Sequence, residues 1–193
     1  MAYERLMSVR TIRASAPIVT IRCPPDEPVI IISRSFDAPR ALVWKAWTGM
    51  THVARWWGPD GFTTPRCYLD VRTGGGWRIE SRAPDGSIFT YKGRYLDVAA
   101  PERIVNTLGL EGIYDESRVV ETHTFTEWRG VTRYVGLSRF HSLDDRDRML
   151  DSGIEEDASE GLNRLAQLLR SLKAVSPAQP QSSVIPLRAR TPW

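Results

Sequence analysis

The sequence predicts an α+β fold, a curved antiparallel β-sheet of about seven strands wrapped around one long C-terminal helix, with two short helices after the first strand. Three observations predict it. Residues 66–140 fall into short alternating segments divided by Gly, Pro and Asp turns. The only long stripe of helical period follows, over about 144–172. A β-branched run, VIIISRSF (29–36), comes before all of these and leads straight into a helix-start signal.

In chain order, residues 29–36 read as the first strand. Asp37 then precedes Ala38-Pro39, a capping carboxylate and a proline placed for a first helical turn. Leu42, Val43, Ala46 and Trp47 give a short helix its apolar stripe, and Gly49 ends it. Thr51 is placed to cap a second short helix, HVARWW, which stops at Gly58-Pro59. Six strands are expected next, at 66–72, 76–82, 87–98, 102–108, 118–128 and 131–140. Gly74-Gly75-Gly76 lacks the lysine and hydroxyl of a phosphate loop and precedes a strand, so it reads as a hairpin turn. A Gly- and acid-containing loop fills 109–117. Along the long helix, Met149, Gly153, Leu162, Leu165, Leu168, Leu169 and Leu172 share one side. In such a meander the first strand closes the sheet, and the helix is the only element large enough to cover its apolar face.

At 193 residues, with 41% hydrophobic and 25% charged residues, the chain suits one soluble domain with tails. Residues 1–28 form an N-terminal arm in which SVRTIR and IVTIR are weak strand patterns interrupted by prolines; 29–172 are the domain; 173–193, rich in Pro, Ser and Gln, are a flexible tail. The net charge of +3 resides in these tails, which leaves the body near neutral and without the basic stripe of a nucleic-acid binder. No stretch approaches a membrane span and the first residues lack a signal-peptide apolar region, so a cytoplasmic location is expected. Cys23 and Cys67, without CxxC spacing, are expected as free thiols. His52, His123 and His141 lack zinc-ligand spacing, and no metal or cofactor motif is present. His52 is expected to be exposed. The arm offers a strand that would add to the sheet edge of a second copy, so a homodimer stays open.

RSFDAPRALVWKAWTGMTHVARWWGPDGF (34–62), DVRTGGGWRIE (70–80), GRYLDVAAPERIV (93–105) and GIEEDASEGLNRLAQLL (153–169) together resemble the START-like (SRPBCC) family related to activators of the heat-shock-protein-90 ATPase. The resemblance implies a helix-grip fold with a hydrophobic cavity between sheet and long helix. It implies function only as a choice among lipid carriers, cyclases, hormone binders and co-chaperone domains. The eukaryotic co-chaperones carry an additional N-terminal domain, which a 28-residue arm is too short to be. The chain departs from the family pattern at Glu121 and His123, where aliphatic residues are usual. It departs again at Asn106, where an aromatic residue is common, and at Asp157-Ala158, which replace Gly-Trp. These departures imply a more polar pocket.

By alternation Glu121, His123 and Phe125 share a strand face, with Glu121 and His123 about 7 Å apart at Cα. Tyr134, Gly136, Ser138 and Phe140 form the facing set. A Glu–His–Tyr group in an apolar cavity suits general acid–base work or the orientation of one polar ligand group; a structural polar cluster, or a register that turns it to water, remains open. Trp56, Trp57, Phe62, Trp77 and Phe89 are expected as an aromatic wall or as ordinary core. Asn106, Phe125, Phe140, Met149 and Gly153 complete the expected lining.

The leading expectation is non-enzymatic binding of a small hydrophobic or amphipathic molecule. The first alternative is an enzyme of cyclase, dehydratase or isomerase type using Glu121, His123 and Tyr134. The second is a chaperone-associated interaction module.

Overall fold

The computed structural model describes residues 10–12 and 19–175, so the predictions for 1–9, 13–18 and 176–193 fall outside the described residues. The elements run β1 (Arg10–Ile12), β2 (Val19–Arg22), β3 (Val29–Phe36), α1 (Arg40–Thr48), α2 (Met50–Val53), β4 (Thr63–Leu69), β5 (Gly76–Arg82), β6 (Ile88–Ala99), β7 (Arg103–Leu110), β8 (Tyr114–Trp128), β9 (Val131–Phe140), α3 (Leu143–Asp151) and α4 (Ile154–Val175). All strands join one antiparallel sheet in the order β1-β2-β3-β9-β8-β7-β6-β5-β4. The meander from β4 to β9 is closed by β3, which pairs along its whole length with β9, from Val29↔Arg139 to Phe36↔Thr132.

The sheet has nine strands rather than about seven, because part of the arm joins it. Val19 and Ile21 alternate with polar Thr20 and Arg22, so β2 buries one face and pairs with β3 through Ile21↔Ile32. The arm thus extends its own chain's sheet. Arg146 of α3 ties the connection down, donating from Nη1 to the carbonyls of Pro24 (2.6 Å) and Glu27 (2.7 Å).

Four local expectations are corrected. Asp37 does not cap α1: Ala38 and Pro39 remain extended after it, Pro39 is the N-cap, and Asp37 pairs instead with Lys173 at 3.2 Å. A carboxylate from β8 takes the capping role, Glu127 accepting from the Arg40 backbone N–H at 2.7 Å. The second short helix covers only Met50–Val53, after which Trp56 and Trp57 donate their backbone N–H groups to Val53 in a turn. His52 is half-buried over Gly49, and burial, then Lys45 and Arg55, lower its pKa. The long helix is two helices. Gly153 takes φ +87°, a left-handed conformation that a glycine tolerates, and α3 stops at Ser152.

The strand expected at 66–72 lies three residues earlier, at Thr63–Leu69; the other strand bounds differ little from those expected, except where the 109–117 loop shrinks to a turn. Leu110 still pairs with Tyr114 across it, and Glu111 N–H is held by the Thr90 carbonyl (3.0 Å). The core lies between the concave sheet face and α4, whose Leu162, Leu165, Leu168 and Leu169 are buried. Phe125, 0% exposed, is packed edge-on by Trp44 and Trp47 from α1. Arg34 is buried on the inner face of β3 and donates to Asn163 of α4 at 2.7 Å, while its Nε and Nη2 have no partner. Burial, then Arg170, lowers its pKa to about 10. Cys23 and Cys67 are free thiols, both held above the usual thiol pKa by burial, Cys67 to about 11. No helix among the described residues is long and apolar enough to cross a membrane.

Candidate functional site

The sheet bends away from the junction of α3 and α4, and a cavity of about 670 Å³ lies between them. That volume is within the range of small-molecule sites. Its interior is mainly apolar and aromatic, with Ile30 and Ile32 of β3 on one side, Ile79 of β5 and Tyr95 of β6 on another, and Leu162 of α4 above. Its mouth is marked by lining residues that are also exposed: Ile113 (68%) in the β7–β8 turn and Asp115 at the start of β8, Arg148 and Ser152 at the α3–α4 junction.

The loop after α2 supplies one wall. Trp56 donates its indole N–H to the Ala46 carbonyl (3.0 Å), which fixes its ring beside Trp47. Trp57 meets Trp77 and Tyr91 edge-on, with ring centroids 6.1 and 5.7 Å away. Arg164 of α4 holds this loop: its Nη1 donates to the carbonyls of Pro59 (2.8 Å) and Gly58 (3.2 Å), and its Nη2 to that of Arg55 (3.3 Å). One guanidinium thereby satisfies several carbonyls of a chain segment outside regular structure.

A polar cluster interrupts the apolar lining on β7, β8 and β9. Its members meet because their strands pair Asn106↔Glu121, Glu121↔Ser138, His123↔Gly136 and Phe125↔Tyr134. Glu121 accepts from Asn106 Nδ2 (3.2 Å) and from Ser138 Oγ (3.2 Å). His123 Nε2 stands 3.6 Å from Glu121 Oε2, and His123 Nδ1 lies 3.0 Å from the Tyr134 hydroxyl. Burial pushes the Glu121 carboxyl up, but His123, Asn106 and Ser138 outweigh it and hold its pKa below the usual value. The two nitrogens of the His123 ring thus face different partners, Nε2 the Glu121 carboxylate and Nδ1 the Tyr134 hydroxyl. Burial, then the Glu121 charge, holds the Tyr134 phenol well above its usual pKa. Glu121 and His123 retain 17% and 12% of their side-chain surface, and both line the cavity. The Trp47 ring covers the cluster, 5.2 Å from His123 and 4.7 Å from Tyr134.

Of the residues expected at the site, Trp56, Trp57, Trp77, Asn106, Glu121, His123, Tyr134, Phe140 and Met149 line the cavity. Four do not. Phe62 and Phe89 pack on each other (6.3 Å) away from the cavity, because β6 runs past it there. Phe125 is solid core beneath Trp47, and Gly153 is consumed by the helix break. The alternation of Phe89, Tyr91, Gly93 and Tyr95 marked the correct face of β6, but Tyr91 and Tyr95 are its cavity residues. Tyr114 lay inside the expected loop and carried no strand signal. Asp157 faces the cavity from the first turn of α4. No cluster of three or more metal-ligating side chains exists among the described residues.

Comparison with known proteins places this geometry in context. A Mycobacterium smegmatis protein of known structure shares 25% identity over 80% of this chain and 99% of its own, with a TM-score of 0.72. A Nitrosomonas europaea protein shares 22% over 77% of this chain and 98% of its own (TM-score 0.69). An AHSA1-like protein from Aeromonas hydrophila shares 19% over 74% and 94% (TM-score 0.57). No functionally curated protein matches the chain. The family described as Activator of Hsp90 ATPase homolog 1-like protein matches residues 37–173, from the end of β3 nearly to the end of α4, and the chain belongs to that family.

Proposed function

We propose that the protein binds a small hydrophobic or amphipathic molecule in the cavity between sheet and helices, without chemically transforming it. The observation that carries this reading is an interior of about 670 Å³ with aromatic walls and one polar cluster. Apolar walls supply affinity through area removed from water, and a few placed polar groups supply orientation. Native mass spectrometry of the protein purified from its own host tests the reading. A small molecule that remains bound in the native spectrum and is released on denaturation is expected. An empty protein that also takes up no apolar probe in solution would refute it.

A second reading is favoured by one contact, the approach of Tyr134 to His123 beside Glu121. A carboxylate, imidazole and phenol in sequence form a chain along which a proton is shuttled, the kind of group that assists enolisation or dehydration. In that case Glu121→Gln and Tyr134→Phe would lower turnover of a bound carbonyl compound far more than its binding. Equal loss of binding and turnover would return the cluster to a role in orientation.

A further inference from the structure

We propose that the cavity selects a ligand whose polar end is a protonated amine, and discriminates against one ending in a carboxylate. This rests on the reading of the cavity as a ligand site. The charged groups are unevenly distributed along the lining. Four carboxylates line the cavity: Asp115 and Asp145 beside the mouth, and Glu121 of β8 and Asp157 of α4 deeper in. Among the described residues, the lining's guanidinium groups are Arg118 and Arg148, both at the mouth, 53% and 78% exposed, and both directed to Asp145 at 3.1 and 3.8 Å. No lysine lines the cavity among the described residues. The remaining base is His123, whose Nε2 is 3.6 Å from Glu121 and whose Nδ1 is engaged by Tyr134.

Among the described residues, Glu121 is held by neutral donors at 3.2 Å and by this longer imidazole contact, with no short ion pair to a lysine or arginine. Asp157 has no basic partner among the described ion pairs, and its position in the first turn of α4 accounts for its tolerance there. Burial raises the Tyr91 and Tyr114 phenols first; the negative charge of Asp157 adds to this at Tyr91, and that of Glu121 at Tyr114.

A carboxylate ligand would add negative charge to a space of low dielectric where, among the described residues, no interior lysine or arginine meets it and His123 already faces Glu121. An ammonium would pair with either acid and lie against the faces of Trp57, Trp77 and Tyr91, which attract cations through their ring quadrupoles.

Isothermal titration calorimetry of the full chain near neutral pH, with three naphthalene probes, tests the proposal: 2-(2-naphthyl)ethylamine, the matching alcohol and the matching propanoate. The amine is expected to bind at least about tenfold more tightly than the carboxylate, with the alcohol between them. Asp157→Asn is expected to weaken the amine several-fold and leave the alcohol within about twofold. Asp157 is half-buried at a helix terminus, so this variant is the safer probe; Glu121→Gln is the second and should act in the same direction. A carboxylate that binds as well as the amine overturns the proposal and leaves the binding cavity standing. So does an amine-to-carboxylate ratio unchanged in both variants. Failure of all three probes to bind overturns the cavity reading itself.

Discussion

The Tyr134 hydroxyl occupies the space that a Cβ on Gly136 would need. Tyr134 and Gly136 are two residues apart on the inner face of β9, and the phenol lies along the strand over the glycine. Gly136 is also the cross-strand partner of His123, so the hydroxyl arrives 3.0 Å from Nδ1 of that ring. The contact between imidazole and phenol therefore depends on a residue that takes no part in it.

Gly136→Ala is expected to displace the Tyr134 ring and break the contact with His123, at a cost of about 1–3 kcal/mol from overpacking. Tyr134→Phe removes the same hydrogen bond without the clash and is expected to cost about 1–2 kcal/mol. Urea denaturation gives the two costs, and the imidazole resonances of His123 report the contact. An unmoved His123 signal in Gly136→Ala would show that the ring has another position available.

Phe125 is core rather than lining, so Phe125→Ala is expected to destabilise by about 3–5 kcal/mol. It lies under Trp47, and the new void would loosen that ring over the polar cluster. Denaturant titration measures the loss. A cost below about 1 kcal/mol would contradict the packing described.

Arg164→Lys keeps the charge but loses the fork that spans the carbonyls of Arg55, Gly58 and Pro59. Hydrogen exchange of residues 55–62 is expected to rise, with a stability loss of about 1.5–3 kcal/mol. Trp57 fluorescence should change as its wall loosens. Unchanged exchange would place the loop's order elsewhere.

Arg34→Met is expected to be neutral or to stabilise the protein by about 1–4 kcal/mol, because two buried nitrogens of Arg34 have no partner. The lowered pKa of about 10 has the same origin, burial of a charge followed by the proximity of Arg170. A large destabilisation in thermal melts would mean that the single bond to Asn163 outweighs the buried charge.

The two interior acids have opposite pH signatures. Glu121 titrates below its ordinary 4.5, so its ionised form contributes stability above that value, and the contribution is lost as pH falls through the lower folded pKa. Asp157 titrates above its ordinary 3.8 because of burial, then Glu160 and Glu156, so its ionisation costs stability at neutral pH, and that cost disappears on acidification. Asp157→Asn is thus expected to be more stable than the parent near neutral pH and equal to it in acid, whereas Glu121→Gln is expected to be less stable near neutral pH. Melts from about pH 4 to 8 read both; identical profiles for the two variants would refute the assignment.

The order of strands from β3 to β9 and the shared face of Glu121 and His123, with Tyr134 opposite, were legible in the residues, while the register that turns them inward was left open. Period-two alternation and turn residues are local properties, and the separation of β8 and β9 by only Arg129-Gly130 leaves their register little freedom. The tertiary structure alone decided what lies outside such local rules. Asp37 carries the capping signal, yet Glu127 caps α1, because the helix start is presented to a distant strand. Phe62 and Phe89 are as apolar as Trp57, but they pack on each other outside the cavity lining. Gly153 fits a helical stripe and ends the helix instead, which opens the junction where the mouth lies. Burial and charge balance in the cavity arise from strands and helices far apart in sequence, and the opposition of Asp157 to Glu121 has no local signature at all.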